Sequence, residues 1–227
     1  MAPYHIRTFQ EKDQTPVMDL YSSCFVEHVP AAIRHALMLP RNLLLEVGVA
    51  LLVFLVSGSW LLAVISILIL LLFLCFLVRY MWKHAIVICL RTDMADITKT
   101  YLSAHDSCFW VAESGGQVVG IVSALLVANP PLGKKQLKLF HLAVAMEHRG
   151  EGIAKALVRT VLQFARDQGY GEVVLDTTAV QHSALGLYQG MGFRKTGQFF
   201  ESILWKLTGI SWIRLIYHLP SARDGGL

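Results

Sequence analysis

The sequence predicts an α/β domain whose sheet is interrupted by a long apolar insertion. Three observations predict it. From Cys108 onward, segments with strand periodicity alternate with segments of helical periodicity. CFWVAE and QVVGIVSAL meet across Ser114, Gly115 and Gly116, which is a β-hairpin signal. Between Leu43 and Val78 the chain is leucine-rich and almost wholly apolar.

Composition agrees. Of the 227 residues, 55% are hydrophobic and only 16% are charged, against about a quarter charged in soluble domains. The excess sits in the one apolar block. The formal net charge is +4, but the basic residues are scattered, with no dense run beyond Lys134 and Lys135. That pattern argues against direct nucleic-acid binding. Cys24, Cys75, Cys89 and Cys108 have neither CxxC nor metal-like spacing, so they read as separate thiols, with no metal site. Asn42 and Asn129 both lack the third residue of a glycosylation acceptor, and the first forty residues contain no short apolar signal core. A cleaved signal peptide is not expected.

Taken in order, HIRTFQEKD opens with a short strand, and Val17, Leu20, Tyr21, Cys24 and Phe25 recur at helical spacing up to Pro30. The apolar block is broken at Ser57 to Trp60 and closes at the run RYMWKH. Asp93 and Asp96 resemble a helix start, with Ile97, Tyr101 and Leu102 on its apolar side. After the hairpin, QLKLFHLAV (Gln136 to Val144) is a strand. A helix from Gly152 to Gln168 follows, with Ile153, Leu157, Val161 and Phe164 in one stripe and Gly169 at its end. EVVLDT is a buried-type strand, SALGLYQGM a short helix stopped by Gly192, and two more strands are expected near Phe193 to Gly197 and Ile213 to Leu219.

The chemistry-bearing segment is RGEGIAKAL, where Arg149, Gly152 and Ala154 fit R-x-x-G-x-A between a strand and a helix. Small residues there let the backbone approach a diphosphate, and the helix start presents unpaired N–H groups and a favourable dipole. A glycine-containing turn alone is more often structural. Some forty residues on, Ala184, Leu187, Tyr188, Gly192 and Phe193 spell A-x-x-L-Y-x-x-x-G-F. In order and spacing, with LFHLAV and EVVLDT between and before, the chain resembles the GCN5-related N-acetyltransferase (GNAT) superfamily. LVSGSWLL, TDMADITKTYL, CFWVAES, ARDQGY and YHLP extend the likeness over nearly the whole chain, to the N-acetyltransferase 8, or camello, family.

The resemblance implies a mixed, mostly antiparallel central sheet with flanking helices, and an enzyme that moves acetyl from acetyl-CoA to an amine without a metal. It implies that the diphosphate rests on the loop of Arg149, Gly150, Glu151, Gly152, Ile153 and Ala154, with Gln181 also beside the cofactor. A backbone N–H among Leu142, Ala143 and Val144 would stabilise the tetrahedral oxyanion, and Tyr188 would protonate the departing thiolate. For the group that deprotonates the amine, His141, Glu147 and an ordered water stay open. His141 also reads as a hydrogen-bonded core residue. Three positions depart from the superfamily pattern: Glu151 replaces a basic residue or glutamine, Gln181 an asparagine, and Met146 a proline. The family implies cysteine S-conjugates or protein lysines, histones included, as acceptors, and residence in the endoplasmic reticulum membrane. The alternative is a weakly active or inactive membrane adaptor of the same fold, involved in cell adhesion or development.

The expected division is an N-terminal strand and helix over residues 1–42, a membrane segment over 43–78, a catalytic domain over 79–220 and a tail over 221–227. The apolar block allows two topologies. A hairpin broken at Ser57, Gly58 and Ser59 returns the chain to one side; a single pass requires the strand at His5 to Phe9 to stand apart from the sheet. FFESILWKLTGISW (Phe199 to Trp212) places Phe200, Leu204, Leu207 and Ser211 on one helical face, either as core or as a lid over the acceptor site.

Overall fold

The computed structural model describes residues 4–103, 105–127, 130 and 135–220, so the tail 221–227, Asn129 and Lys134 lie outside the described residues. The hairpin forms as the sequence predicts. Strands β2 (Cys108–Ser114) and β3 (Gln117–Leu126) pair antiparallel. Gly115 and Gly116 both take positive φ, 57° and 79°, the backbone that a tight two-residue hairpin turn requires. Around the hairpin stand β1 (His5–Thr8), β4 (Gln136–Val144), β5 (Glu172–Thr178), β6 (Arg194–Phe199) and β7 (Trp212–His218). They make one seven-stranded sheet in the order β1-β2-β3-β4-β5-β7-β6. Only β4 and β5 run parallel.

Strand alternation sends successive side chains to opposite faces, and each face acquires its own cover. Trp110, Ala112, Val122 and Val144 face α5 (Ile153–Asp167), which buries Ile153, Leu157, Val158 and Val161 against them. Phe109, Val111, Ile121 and Ala143 face the other way, onto Val17, Tyr21 and Cys24 of α1 (Gln14–Val26) and onto Met94, Ile97 and Tyr101. Asp93 and Asp96 do not start an α-helix. The chain turns there and makes a single π-helical turn, Thr98–Leu102, that buries Tyr101.

The apolar block folds into two antiparallel helices, α3 (Pro40–Ser57) and α4 (Trp60–Arg91). Gly58 supplies the break: at φ 66° it caps α3, donating its N–H to Phe54 O at 2.8 Å. Ser59 caps α4 through its hydroxyl, which accepts from Leu62 N–H. Both helices are long and apolar enough to cross a membrane, and only 6% of each apolar window is buried. They are not core helices.

Strand β1 precedes this insertion and β2 follows it, yet they pair from His5↔Glu113 to Thr8↔Trp110. Arg7 fixes the join, donating to Glu113 at 2.7 Å and to the buried Asp13 at 2.6 Å. Both ends of the insertion therefore return to one sheet, and the single-pass alternative with β1 apart is not the fold adopted.

The expected boundary at Val78 falls inside α4, because apolar spacing persists through the polar run: Val78, Met81, Trp82 and Ile86 are all buried. Here α2 (Val29–Leu37) and α7 (Ile203–Thr208) clasp α4. Trp205 lies between Trp82 and Trp212, with ring centroids at 5.2 and 5.5 Å, and Trp82 donates its indole N–H to Phe25 O at 3.0 Å. The expected face on this segment is corrected. The helix is only six residues long; Trp205 is its buried anchor, Leu204 and Leu207 point out, and Ser211 is buried beyond the helix end.

Gly120 sets how closely α5 can approach the sheet. A Cβ there would stand 2.9 Å from Ile153 Cγ2 and 3.1 Å from Leu157 Cδ1. Gly120→Val should cost about 1–3 kcal/mol by overpacking, read as a lowered midpoint in chemical denaturation, with Gly120→Ala costing less. Unchanged stability in the valine variant would mean that α5 does not rest on β3 as described.

Candidate active site

The site begins where a ladder ends. β4 and β5 pair only over Gln136↔Glu172, Leu137↔Val173 and Lys138↔Val174. Beyond Lys138, β4 follows β3 and β5 follows β7 along its full length, so the two strands part into a split. The closed end is pinned by a buried hydrogen bond from Gln136 Nε2 to Glu172 Oε2 at 2.6 Å and by the ion pair of Lys138 with Asp176 at 2.8 Å.

Along the open part, β4 carries a bulge. Ile121 pairs with Ala143 and Ser123 with Phe140, leaving His141 and Leu142 opposite the single residue Val122. His141 has φ 53°, the one positive value on a non-glycine among the described residues; holding a non-glycine there costs about 1–3 kcal/mol. The bulge turns the ring onto the α1 face, edge-on to Tyr21 at 5.0 Å and to Tyr101 at 6.3 Å. Its Nε2 bonds Asp93 Oδ2 at 2.5 Å, and the Tyr101 hydroxyl donates to the same oxygen. Burial works against charge on Asp93, but the hydrogen bonds and charge of His141, helped by Tyr101, prevail and hold its carboxyl down to about 2.

Past the bulge, Ala145 N–H donates to Val119 O at 2.9 Å. By the two-residue alternation of an antiparallel pair, Val144 N–H and C=O then face away from β3, into the split. Val144 O accepts from Arg149 Nε at 3.2 Å and from the Cys24 thiol at 3.4 Å. Arg149 also reaches Glu27 at 2.6 Å. It thus tethers the loop to α1 as well as to β4. Gly150 and Gly152 take φ 84° and 83°, and a Cβ on either would meet nothing within 4 Å. Gly152 opens α5 without any side-chain cap, so the first-turn N–H groups of Ile153 and Ala154 point into open space. Glu151 faces His148 at 3.4 Å, which draws part of its charge from the loop.

On the β5 side, Gln181 precedes α6 (His182–Gly190). Its Oε1 accepts from Thr177 Oγ1 at 2.8 Å, Thr178 N–H at 3.0 Å and Thr178 Oγ1 at 3.1 Å. Tyr188 is buried on α6, its ring edge-on to Phe193 at 5.5 Å. Burial pushes its phenol above the ordinary tyrosine range. Among the described residues, only Ser123 Oγ and Trp212 Nε1 are buried side-chain polar atoms without a hydrogen-bond partner. The Tyr188 hydroxyl and His141 Nδ1 make no hydrogen bond and are absent from that pair, so solvent reaches both. Glu147 stands exposed on the 3-10 turn Met146–His148.

The structure brings Leu142, Ala143, Val144, the loop 149–154, Gln181 and Tyr188 around the split, with His141 on the α1 face of the same strand. Sequence reading missed Asp93, Tyr101 and Glu27. Asp93 and Tyr101 lie 48 and 40 residues from His141, and nothing in their local pattern announces the contact. Among the described residues no group of three or more His, Cys, Asp or Glu comes together as a metal site.

Residues 76–193 match the profile of the Acetyltransferase (GNAT) family. N-acetyltransferase 8F1 of Rattus norvegicus is 62% identical over 222 residues, 98% of this chain and 100% of its own. N-acetyltransferase 8B of Homo sapiens is 58% identical over 227 residues, 100% of both chains. Among solved structures, an acetyltransferase of the GNAT family from Staphylococcus aureus Mu50 is 13% identical with a TM-score of 0.57, covering 96% of this chain and 99% of that one. At that identity the likeness shows the fold.

Gln181 is a structural keystone whichever ligand fills the split. Gln181→Leu leaves the buried Thr177 and Thr178 donors without their acceptor, which should cost about 1–3 kcal/mol. Chemical denaturation of the purified variant measures it, and wild-type stability would mean that the amide does not hold the end of β5.

Proposed function

Taking as premise that the chain belongs to the acetyltransferase (GNAT) family and to its N-acetyltransferase 8 branch, we propose a membrane-anchored enzyme that acetylates an amine inside the β4–β5 split. Its reaction is acetyl-CoA-dependent N-acetyl transfer. The observation that carries the site assignment is the split itself, which opens directly onto the uncapped start of α5.

The residues fit acetyl-CoA. Gly150 and Gly152 leave room where any side chain would intrude, and the N–H groups of residues 150–154 with the α5 dipole suit a diphosphate. The unpaired edge of β4 offers backbone partners to the amides of the pantetheine arm. Leu142 and Ala143 shape that edge, and Val144 N–H is the donor for the oxyanion. Arg149 acts by holding the loop against Val144 and Glu27 rather than by touching the diphosphate. Gln181 keeps β5 parted from β4, and Glu151, paired with His148, adds little repulsion.

Tyr188 is the general acid. Its raised phenol stays protonated throughout the neutral range, and it gives up its proton only to a thiolate that is equally desolvated. The exposed Glu147 is the weaker of the two sequence candidates for the base, because water competes for it. The acceptor is a cysteine S-conjugate or a protein lysine, as the family resemblance implies.

The anchor is the α3–α4 hairpin. Its unburied arms, residues 43–57 and 60–77, are roughly 22 and 27 Å long, close to a hydrocarbon core of about 30 Å. Arg34 and Arg41 precede it and Arg79, Lys83 and Arg91 follow it, which by the positive-inside tendency puts both flanks and the active site in the cytosol. The endoplasmic reticulum is the membrane proposed.

Two experiments test this reading. Purified protein with acetyl-CoA and a panel of amines should release free thiol, and Tyr188→Phe should lower kcat by about 10² to 10⁴ while leaving acetyl-CoA affinity nearly unchanged. Cofactor binding with no turnover on any amine would favour an inactive adaptor. For topology, terminal tags in sealed microsomes should both be cleaved by added protease. One protected end would sink the hairpin, and two would move the active site to the lumen.

A further inference from the structure

The acceptor reaches the split as an ammonium ion and must lose a proton before it attacks. We infer that His141 takes that proton at Nδ1 and that Asp93, bonded to Nε2, is the positioning residue that orients the imidazole and stabilises its cation. This deepens the acetyltransferase reading and rests on it.

Four observations support the assignment. Asp93 engages one ring nitrogen at 2.5 Å, which fixes the tautomer with the proton on Nε2 and leaves Nδ1 the lone pair. Nδ1 is the nitrogen nearer the main chain, and it belongs to a residue bulged at the open part of β4, next to the strand edge where the thioester must lie. It is reached by solvent although the side chain is only 5% exposed. Finally, the left-handed backbone at His141 is an unfavourable conformation for a β-branchless but bulky residue, and a ring needed only for packing does not require it.

The surroundings suit a base. Facing the ring are Tyr21 from α1, Asp93 after α4, and Tyr101 from the π turn; Cys89 of α4 bonds Tyr21, and Glu201 before α7 acts on Cys89. Arg149 and His28 lie farther along β4, around Glu27. The nearest formal charge is therefore the Asp93 carboxylate, which stays ionised far below neutrality. It favours the imidazolium.

The protons balance. R–NH₃⁺ gives one to His141 Nδ1, the free amine forms the C–N bond, and the C–S bond breaks as Tyr188 protonates the sulfur. The N-protonated amide then returns a proton to the Tyr188 phenolate through water, and the imidazolium releases its own to solvent. One amide, one free thiol and one proton result. Because α5 and its loop lie on one face of the sheet and this dyad on the other, the acceptor approaches from the α1 face.

The test is the pH dependence of kcat for full-length protein, with acetyl-CoA affinity measured alongside. His141→Gln should lower kcat by about 10² to 10³ at neutral pH, abolish the acid limb and leave a rate that climbs with pH as the amine ionises by itself, with acetyl-CoA affinity unchanged. Asp93→Asn should lower kcat about tenfold or more and move the acid limb to lower pH, since the imidazolium loses its stabilising carboxylate. Tyr101→Phe serves if that variant fails to fold. It frees the Asp93 charge for His141, so the limb should move to higher pH. Uniform loss across pH, with unmoved limbs in these variants, would overturn the dyad and leave His141 a packing residue. Wild-type protein that releases no thiol would overturn the acetyltransferase reading and the dyad together.

Discussion

The termination of the parallel β4–β5 ladder after Lys138 is the constraint from which the site follows. Backbone N–H and C=O groups taken out of a ladder still require partners, and here they are supplied selectively. Val144 O is claimed by Arg149 and the Cys24 thiol, and Thr178 N–H by Gln181. What is left unclaimed is the ligand-facing edge. Each half of the sheet is secured by its outer neighbour, β3 for one and β7 for the other, so the split is held open by pairing elsewhere and needs no strain at its own lips beyond the bulge.

The split also separates two jobs by face. α5, packed on one side through an apolar stripe, brings an uncapped helix start to the cofactor loop. The other side, built from α1, the end of α4 and the π turn, is apolar apart from the group of Asp93, Tyr101, Tyr21, Cys89 and His141. Arg149 bridges the two, since its guanidinium links the cofactor loop to Glu27 at the end of α1. A loop that belongs to one substrate is thus referenced to the helix that faces the other.

What was legible in the sequence was local. The glycine pair of the hairpin, the stripe of α5, the buried-type β5 and the break at Gly58 all carry their signal within a few residues, and each formed. The last two strands also formed, with β6 lengthened to Phe199 and β7 starting at Trp212. Fold class and cofactor loop came from motifs whose spacing is fixed by a strand-to-helix turn. What was not legible depended on distant contacts. The extent of α4 was misjudged because RYMWKH looks like a membrane flank, although Val78, Met81, Trp82 and Ile86 keep helical spacing through it. That spacing was a usable signal. Asp93 resembled a helix start, whereas its carboxylate is spent on His141 and Tyr101. Trp205 was grouped away from its true face because a six-residue helix offers too few turns for periodicity to speak.

The helix α4 belongs to the insertion and to the site at once. It contains neither proline nor glycine along its 32 residues, so it is a stiff rod. Its grip on the body is at Trp82, held by Phe25 O and Trp205. From there it is roughly 33 Å to Trp60 at the hairpin tip and roughly 16 Å to Asp93 at the other end. Met94 N–H, bonded to Cys89 O at 3.1 Å, couples the turn carrying Asp93 to the rod. The geometry is that of a lever with arms near two to one and its fulcrum at a tryptophan: sideways displacement of the tip arrives at the carboxylate reversed and at half its amplitude. Catalytic alignment in this chain is thereby mechanically geared to whatever medium surrounds the hairpin.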